Sequence, residues 1–284
     1  MTQPNEIQRI AILGVGLLGG SVALSLRRRL PNIEIIGFSR SEAKRQRTIE
    51  LGVIDSAADS VPAACDGCDV VVVAAPVDRI AEMATIAAAS APKNCLITDV
   101  GSTKETIVAA VSLPNFVAAH PIAGSEKTGA ENAKADLFDG KVIVITPSEK
   151  TDPMSLRQCD DFWRLTGGRT VQLSPAAHDA YLAAVSHVPH LMSSIIARLM
   201  PPAARELVGS GWRDMTRVAS GDPTLWTAIC RENRNMILDQ LDLLSTDVAR
   251  LREMLVDADE EGLQGWLAEA QTIKSQTIKQ SAQE

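Results

Sequence analysis

The sequence predicts an α/β fold: a doubly wound sheet over residues 1–174, then an all-helical domain over residues 175–284. Three observations carry that expectation. Short Val- and Ile-rich runs alternate with helical stretches through the first half. A glycine-rich turn, Gly14-Val15-Gly16-Leu17-Leu18-Gly19, follows the first of these runs. Strand signals cease after Ser174-Pro175, where helical patterns take over.

The strands are expected at Ile10–Leu13, Ile33–Phe38, Val70–Ala74, Leu96–Thr98, Phe116–Ala119 and Val142–Ile145, with Thr170–Leu173 as a last one. The first six are apolar on both faces, as a parallel sheet covered on both sides requires. Helices are expected at Ser21–Arg29, Glu42–Leu51 and Ile80–Ala89, so the first half reads as βαβ units. In the second half, Ala176–Met200 reads as a helix kinked or restarted at Pro189 and ended by Pro201-Pro202. A long helix is expected from about Pro223. Along it Ile237, Leu241, Leu244, Val248, Leu251 and Leu255 recur at spacings of four and three, a seam that packs helix against helix. The seam fits packing within one helical domain and fits a homodimer interface; the homodimer is the expectation.

Composition narrows the function. The 284 residues are 45% hydrophobic and 22% charged, which is globular. Lys plus Arg is 28 against 35 for Asp plus Glu, a net charge of −7, so neither nucleic acid nor an anionic membrane is an expected partner. Aromatic residues are 3%, too few for a base-stacking platform. The five cysteines are too sparse for a disulfide framework, and Cys65-x-x-Cys68 has no second pair at zinc spacing, so no metal is expected. Met1–Ile10 has no apolar signal segment, and Val70–Ala75, the longest strongly apolar run, is too short to span a bilayer. The expectation is a cytoplasmic protein.

The glycine-rich turn has the G-x-G-x-x-G spacing between a strand and a helix. Gly14 permits the tight turn, Gly16 lets backbone approach a pyrophosphate, and Gly19 lets the helix pack close, so Gly14, Gly16, Leu17, Leu18 and Gly19 are the expected cofactor residues. The second strand ends in Ser39-Arg40 with no acid, while Lys44 and Arg45 lie just beyond. A carboxylate there would repel a 2′-phosphate, whereas Ser39 and Arg40 can bind one. NADP is therefore favoured over NAD.

His120 follows directly on the Phe116–Ala119 strand, at the strand end where ligand crevices of open α/β sheets lie. A histidine held there beside Pro121 is a candidate general base. Asp99-Val100-Gly101-Ser102-Thr103-Lys104 ends the preceding strand, and its hydroxyls and ammonium are candidates to orient substrate or nicotinamide. His187 and His190 share a helix face, and without further context read as surface or core histidines. His178 carries no motif and reads as a surface residue.

Together with His120-Pro121-Ile122-Ala123-Gly124-Ser125-Glu126, Ser186-His187-Val188-Pro189-His190 and Asp214-Met215-Thr216-Arg217-Val218-Ala219, these motifs resemble the prephenate/arogenate dehydrogenases of tyrosine biosynthesis. The resemblance runs from about residue 8 to about 230. It implies NAD(P)-dependent oxidative decarboxylation of prephenate or arogenate to 4-hydroxyphenylpyruvate or tyrosine. It also implies that His120 is the catalytic base and that Ser102 shares the substrate hydroxyl beside the nicotinamide. Arg217 then binds a substrate carboxylate, and Glu126, His187 and His190 line the substrate site. Trp226 stands close to the pocket, its own or a partner subunit's. A β-hydroxyacid-type dehydrogenase is a rival, but it would rely on a lysine base. A non-catalytic dinucleotide sensor, the other rival, need not keep His120, Ser102 and Arg217 together.

Overall fold

The computed structural model describes residues 7–124 and 127–283. Among the described residues, eight strands form one sheet: β1 (Arg9–Leu13), β2 (Glu34–Phe38), β3 (Ser56–Ala58), β4 (Val70–Val73), β5 (Leu96–Asp99), β6 (Phe116–Pro121), β7 (Val142–Thr146) and β8 (Arg169–Gln172). Their order is β3-β2-β1-β4-β5-β6-β7-β8. The chain reverses its winding between β1 and β4, the switch point where doubly wound sheets bind ligands.

Side chains alternate across each central strand, so both faces are buried. Ile10, Ile12, Val70 and Val72 enter one apolar layer with Val22, Leu26, Phe162 and Trp163. Ala11, Leu13, Val71 and Val73 enter the opposite layer with Ile80, Ala84, Ile107 and Ile229. The helices supplying these layers are α1 (Leu17–Arg29), α2 (Glu42–Glu50), α3 (Val61–Cys65), α4 (Val77–Ser90), α5 (Glu105–Ala110) and α6 (Pro153–Leu165). Several start on a side-chain cap: Ser41 accepts from the Lys44 amide, and Asp152 from the amides of Met154 and Ser155.

Two details depart from the sequence expectation. The sheet is not parallel throughout, because β7 runs antiparallel to β6, with His120 opposite Val144. The described residues between β6 and β7 contain no crossover helix, and only a crossover makes neighbouring strands parallel. The edge strand β3, with only three residues, and the short α3 and α5 are also additions. They are too brief to show a hydrophobic period.

Beyond β8 the chain is helical among the described residues. Helix α7 (Pro175–Leu182) runs into a π-helical turn (Ala183–His187) and then α8 (Val188–Leu199). Pro189 explains the turn: it has no N–H for the Val185 carbonyl, so the helix widens and the Val188 amide reaches Ala183 O instead. By length and hydropathy Pro175–Leu199 also passes as a membrane-crossing segment. Its buried positions include His178, Asp179, His187, His190 and Ser193, polar groups that suit a protein interior. Helix α9 (Ser210–Thr216) leads to a 3-10 turn (Arg217–Ser220), then to α10 (Pro223–Glu232), α11 (Arg234–Val256) and α12 (Glu260–Gln283). The single long helix expected from Pro223 is thus broken at Asn233, whose side chain is drawn into the interior.

The chain divides into two compact units, residues 1–236 and 237–284. In the second, Trp266 Nε1 donates to Asp247 at 3.2 Å. Of the seam residues, Ile237 is buried while Val248 and Leu255 are 56% and 63% exposed, apolar surface left open by this chain alone.

Candidate active site

The glycine turn lies against the end of β4. Gly14 has φ +107°, and a Cβ there would stand 2.3 Å from the Ala74 carbonyl oxygen, so no other residue fits. Its amide donates to Phe38 O at 2.9 Å, which places the end of β2 beside the turn. A Cβ on Gly19 would collide with the Gly14 carbonyl at 2.2 Å. Gly16 differs: nothing lies within 4 Å of where its Cβ would be. The first helical bond of α1 runs from the Gly20 amide to Gly16 O, so the Leu17, Leu18 and Gly19 amides precede it. An open backbone cradle at a helix start fits a pyrophosphate.

At the end of β2, Ser39 is half-buried and Arg40 exposed. A second arginine joins them. Arg45 Nη1 donates to the carbonyls of Ser39 at 2.7 Å and Arg40 at 3.5 Å. The sequence shows Arg45 only as part of a basic helix start; its position one turn into α2 is what returns it to the strand end.

His120 is near the C-terminal end of β6 and only 9% exposed. Its Nδ1 lies 2.9 Å from Nε2 of His178, and His178 Nδ1 lies 2.7 Å from Oδ1 of Asp179. The expectation that His178 is a surface residue is overturned: it is fully buried. The Asp179 carboxylate also accepts the amides of Lys104 at 2.8 Å and Glu105 at 2.9 Å. Burial first, then His178, Lys104 and His187, push the His120 pKa well below 6.5.

The Ser102 loop is pinned at both ends. At its start Asp99 accepts the amides of Gly101 at 2.8 Å and Ala119, the neighbour of His120, at 3.0 Å. At its end Lys104 and Glu105 are held by Asp179. Ser102 lies between, half-buried. The expected role of the Lys104 ammonium is also overturned. It is fully buried and paired with Asp99 Oδ2 at 2.5 Å, so it braces the loop and reaches no substrate.

His187 is 1% exposed. Its Nδ1 accepts from Asn233 Nδ2 at 3.0 Å, and Asn233 also donates to the Asp179 carbonyl at 2.8 Å. Burial lowers the His187 pKa to about 4. His190 stacks on Trp226 of the same chain, with ring centroids 3.4 Å apart, and His187 meets Trp226 edge-on at 6.2 Å. His190 Nδ1 is buried with no partner. Arg217 is exposed on the 3-10 turn that packs against α8. Glu126 lies outside the described residues.

The structure thus links His120 to His187 through His178, Asp179 and Asn233, three residues that sequence reasoning missed. No spacing marks them. The available signal was the adjacent His178-Asp179 pair one turn into a capped helix. Cys65 and Cys68 are free and buried, with thiols pushed up to about 12 and about 11, and no metal-binding cluster occurs among the described residues.

Comparison with known proteins agrees with this geometry. Residues 22–172 match the family model described as prephenate dehydrogenase, nucleotide-binding domain, and residues 174–269 match prephenate dehydrogenase, dimerization domain. A prephenate dehydrogenase of Bacillus subtilis is 34% identical, over 89% of this chain and 72% of its own. A cyclohexadienyl dehydrogenase of Zymomonas mobilis is 32% identical, over 94% of this chain and 95% of its own. The crystal structure of Aquifex aeolicus prephenate dehydrogenase, in complex with hydroxyphenyl propionate and NAD+, superimposes with a TM-score of 0.88. It is 31% identical and is covered to 99%, against 96% of this chain.

Proposed function

The chain belongs to the prephenate dehydrogenase family, and from that premise we propose how its residues divide the work. It is a nicotinamide-dinucleotide-dependent oxidoreductase acting on a cyclohexadienyl substrate, prephenate or arogenate, which loses carbon dioxide and becomes aromatic. The observation that carries the residue assignment is a buried histidine, His120, at a strand end of the sheet that also carries the glycine cradle.

His120 takes the proton of the substrate hydroxyl. Its depressed pKa keeps it unprotonated at neutral pH and ready to accept. Ser102 shares that hydroxyl. Arg217 pairs with a substrate carboxylate through two parallel hydrogen bonds. Glu126, His187, His190 and Trp226 line the substrate site, and the walls of His187 and His190 exclude water. The amides of Leu17, Leu18 and Gly19 hold the pyrophosphate beside Gly14 and Gly16. When bound, the nicotinamide supplies a hydride acceptor for the carbon that bears the hydroxyl. No metal is required. The free pair of electrons left by decarboxylation completes the aromatic ring, so the protein need only align the substrate and accept one proton.

Ser39, Arg40 and the returning Arg45 favour NADP over NAD at the 2′ position. Residues 1–174 form the dinucleotide-binding domain. Residues 175–284 form the substrate and dimerisation domain, and a homodimer closes over the exposed seam of α11. The protein works in the cytoplasm. Steady-state turnover with prephenate and with arogenate, each with NAD and NADP, tests the reading. Formation of 4-hydroxyphenylpyruvate or tyrosine with equal release of carbon dioxide supports it; no turnover in any combination overturns it.

A further inference from the structure

We propose that His178 and Asp179 are positioning residues that fix a proton on Nδ1 of His120 and so leave Nε2 as the base. The inference rests on the reading of His120 given above and adds to it which nitrogen reacts and why.

The argument is one of donors and acceptors. An ionised carboxylate can only accept, so the hydrogen in the 2.7 Å contact with Asp179 belongs to His178 Nδ1. A neutral His178 then has a lone pair on Nε2. The 2.9 Å contact between that atom and His120 Nδ1 therefore requires the hydrogen on His120 Nδ1. Nε2 of His120 is left as the acceptor. The reverse arrangement needs either a proton on Asp179, which already accepts the amides of Lys104 and Glu105, or a second proton on His178, a fully buried ring packed against His120. Two backbone amides and the His178 ring already approach the Asp179 oxygens, so a carboxyl hydrogen would face donors rather than an acceptor.

The surroundings favour the same assignment. Lys104, from the loop after β5, carries a positive charge that its ion pair with Asp99 offsets. His187, from the π-helical turn, accepts from Asn233 on Nδ1 and so carries its own hydrogen on Nε2. Neither competes for His120 Nδ1. When the substrate O–H bond breaks, its proton forms an N–H bond at His120 Nε2. The resulting cation then lies one imidazole away from the Asp179 carboxylate. The carboxylate that sets the resting tautomer also stabilises the protonated form.

The test reads the tautomer directly. Full-length enzyme labelled with 15N-histidine gives two-bond 1H–15N correlations, and His120→Asn identifies the signals of residue 120. The expected result is a neutral ring with hydrogen on Nδ1; hydrogen on Nε2 overturns the proposal. Kinetics provide a second reading. His178→Phe removes the acceptor and should lower kcat by about ten- to a thousandfold, with both KM values within twofold. His178→Gln, whose Oε1 accepts the same hydrogen, should recover at least tenfold of that loss. Equal losses in the two variants would mark a merely structural role and overturn the proposal. Wild-type turnover is measured first: its absence overturns the functional reading, while the spectra still decide the tautomer.

Discussion

The imidazole of His190 lies flat on the indole of Trp226, ring centroids 3.4 Å apart and planes within 10°. Gly221 makes this approach possible. A Cβ there would stand 2.5 Å from Trp226 Nε1 and 3.0 Å from His190 Cε1. Gly221→Ala should therefore push the indole off the imidazole. We expect substrate KM to rise at least threefold and tryptophan emission to change, while cofactor affinity measured by titration stays put. Unchanged KM together with unchanged emission would show that the ring pair tolerates the methyl group.

His120→Asn should cut kcat by about 10²–10⁴-fold, the usual range for a lost general base, with little change in substrate KM. Pre-steady-state binding and steady-state turnover separate the two. A variant that turns over at nearly the wild-type rate would remove His120 from the chemical step.

Arg217→Ala should act mainly on binding. A charge-assisted hydrogen bond contributes about 1.5–3 kcal/mol, so substrate KM should rise about ten- to a hundredfold with kcat largely retained. Collapse of kcat at unchanged KM would instead place Arg217 in the chemical step.

At the 2′ end of the cofactor, Ser39→Asp combined with Arg40→Ala should abolish or reverse a preference for NADP of about ten- to a hundredfold. Arg45→Ala alone should reduce the preference without reversing it, because Arg45 also spends hydrogen bonds on the Ser39 and Arg40 carbonyls. The ratio of kcat/KM for the two cofactors is the measurement. A wild-type ratio at or below one removes these side chains from cofactor choice.

Buried histidines also make stability depend on pH. The His187 pKa falls from 6.5 to about 4 on folding, so the unfolded chain binds the proton more readily. Its contribution is complete above about pH 6.5 and is lost as pH falls towards 4, and the lowered pKa of His120 acts in the same direction. Urea midpoints should drop over that window. His187→Gln, which can still accept from Asn233, should flatten the slope. A wild-type midpoint independent of pH between 7 and 4.5 would contradict this. For the same reason kcat should persist below pH 6.5, where an ordinary histidine base is already protonated.

Much of this was legible from residues. Val- and Ile-rich runs marked six strands to within a residue or two, because strands buried on both faces need continuous apolar chains; the partly exposed edge strand β8 was marked only by Thr170–Leu173. Gly14 and Gly19 declared the turn because backbone geometry there excludes side chains, and Gly16 left the space beside it open. His120 was legible from its strand end and from the motif around it. Lys104 was misjudged, because a lysine beside hydroxyls looks available until its Nζ is seen locked on a carboxylate. His178 and Asp179 showed only as an adjacent pair, and Asn233 not at all, since their meaning lies in contacts across 46–75 positions of sequence. The break at Asn233 was hidden by an apolar seam that continues after it.

The Asp179 carboxylate has two duties, and they constrain how such enzymes can be recombined. It clamps the start of α5 through two backbone amides, and it faces His178, the neighbour of the base. The exchange point that sequence favours, between residues 174 and 175, separates His120 from this pair. A chimaera spliced there inherits its base from one parent and the partner that orients the base from the other. Grafts that carry residues 175–179 along with the sheet should keep their chemistry while changing the substrate face, and grafts that swap them should not.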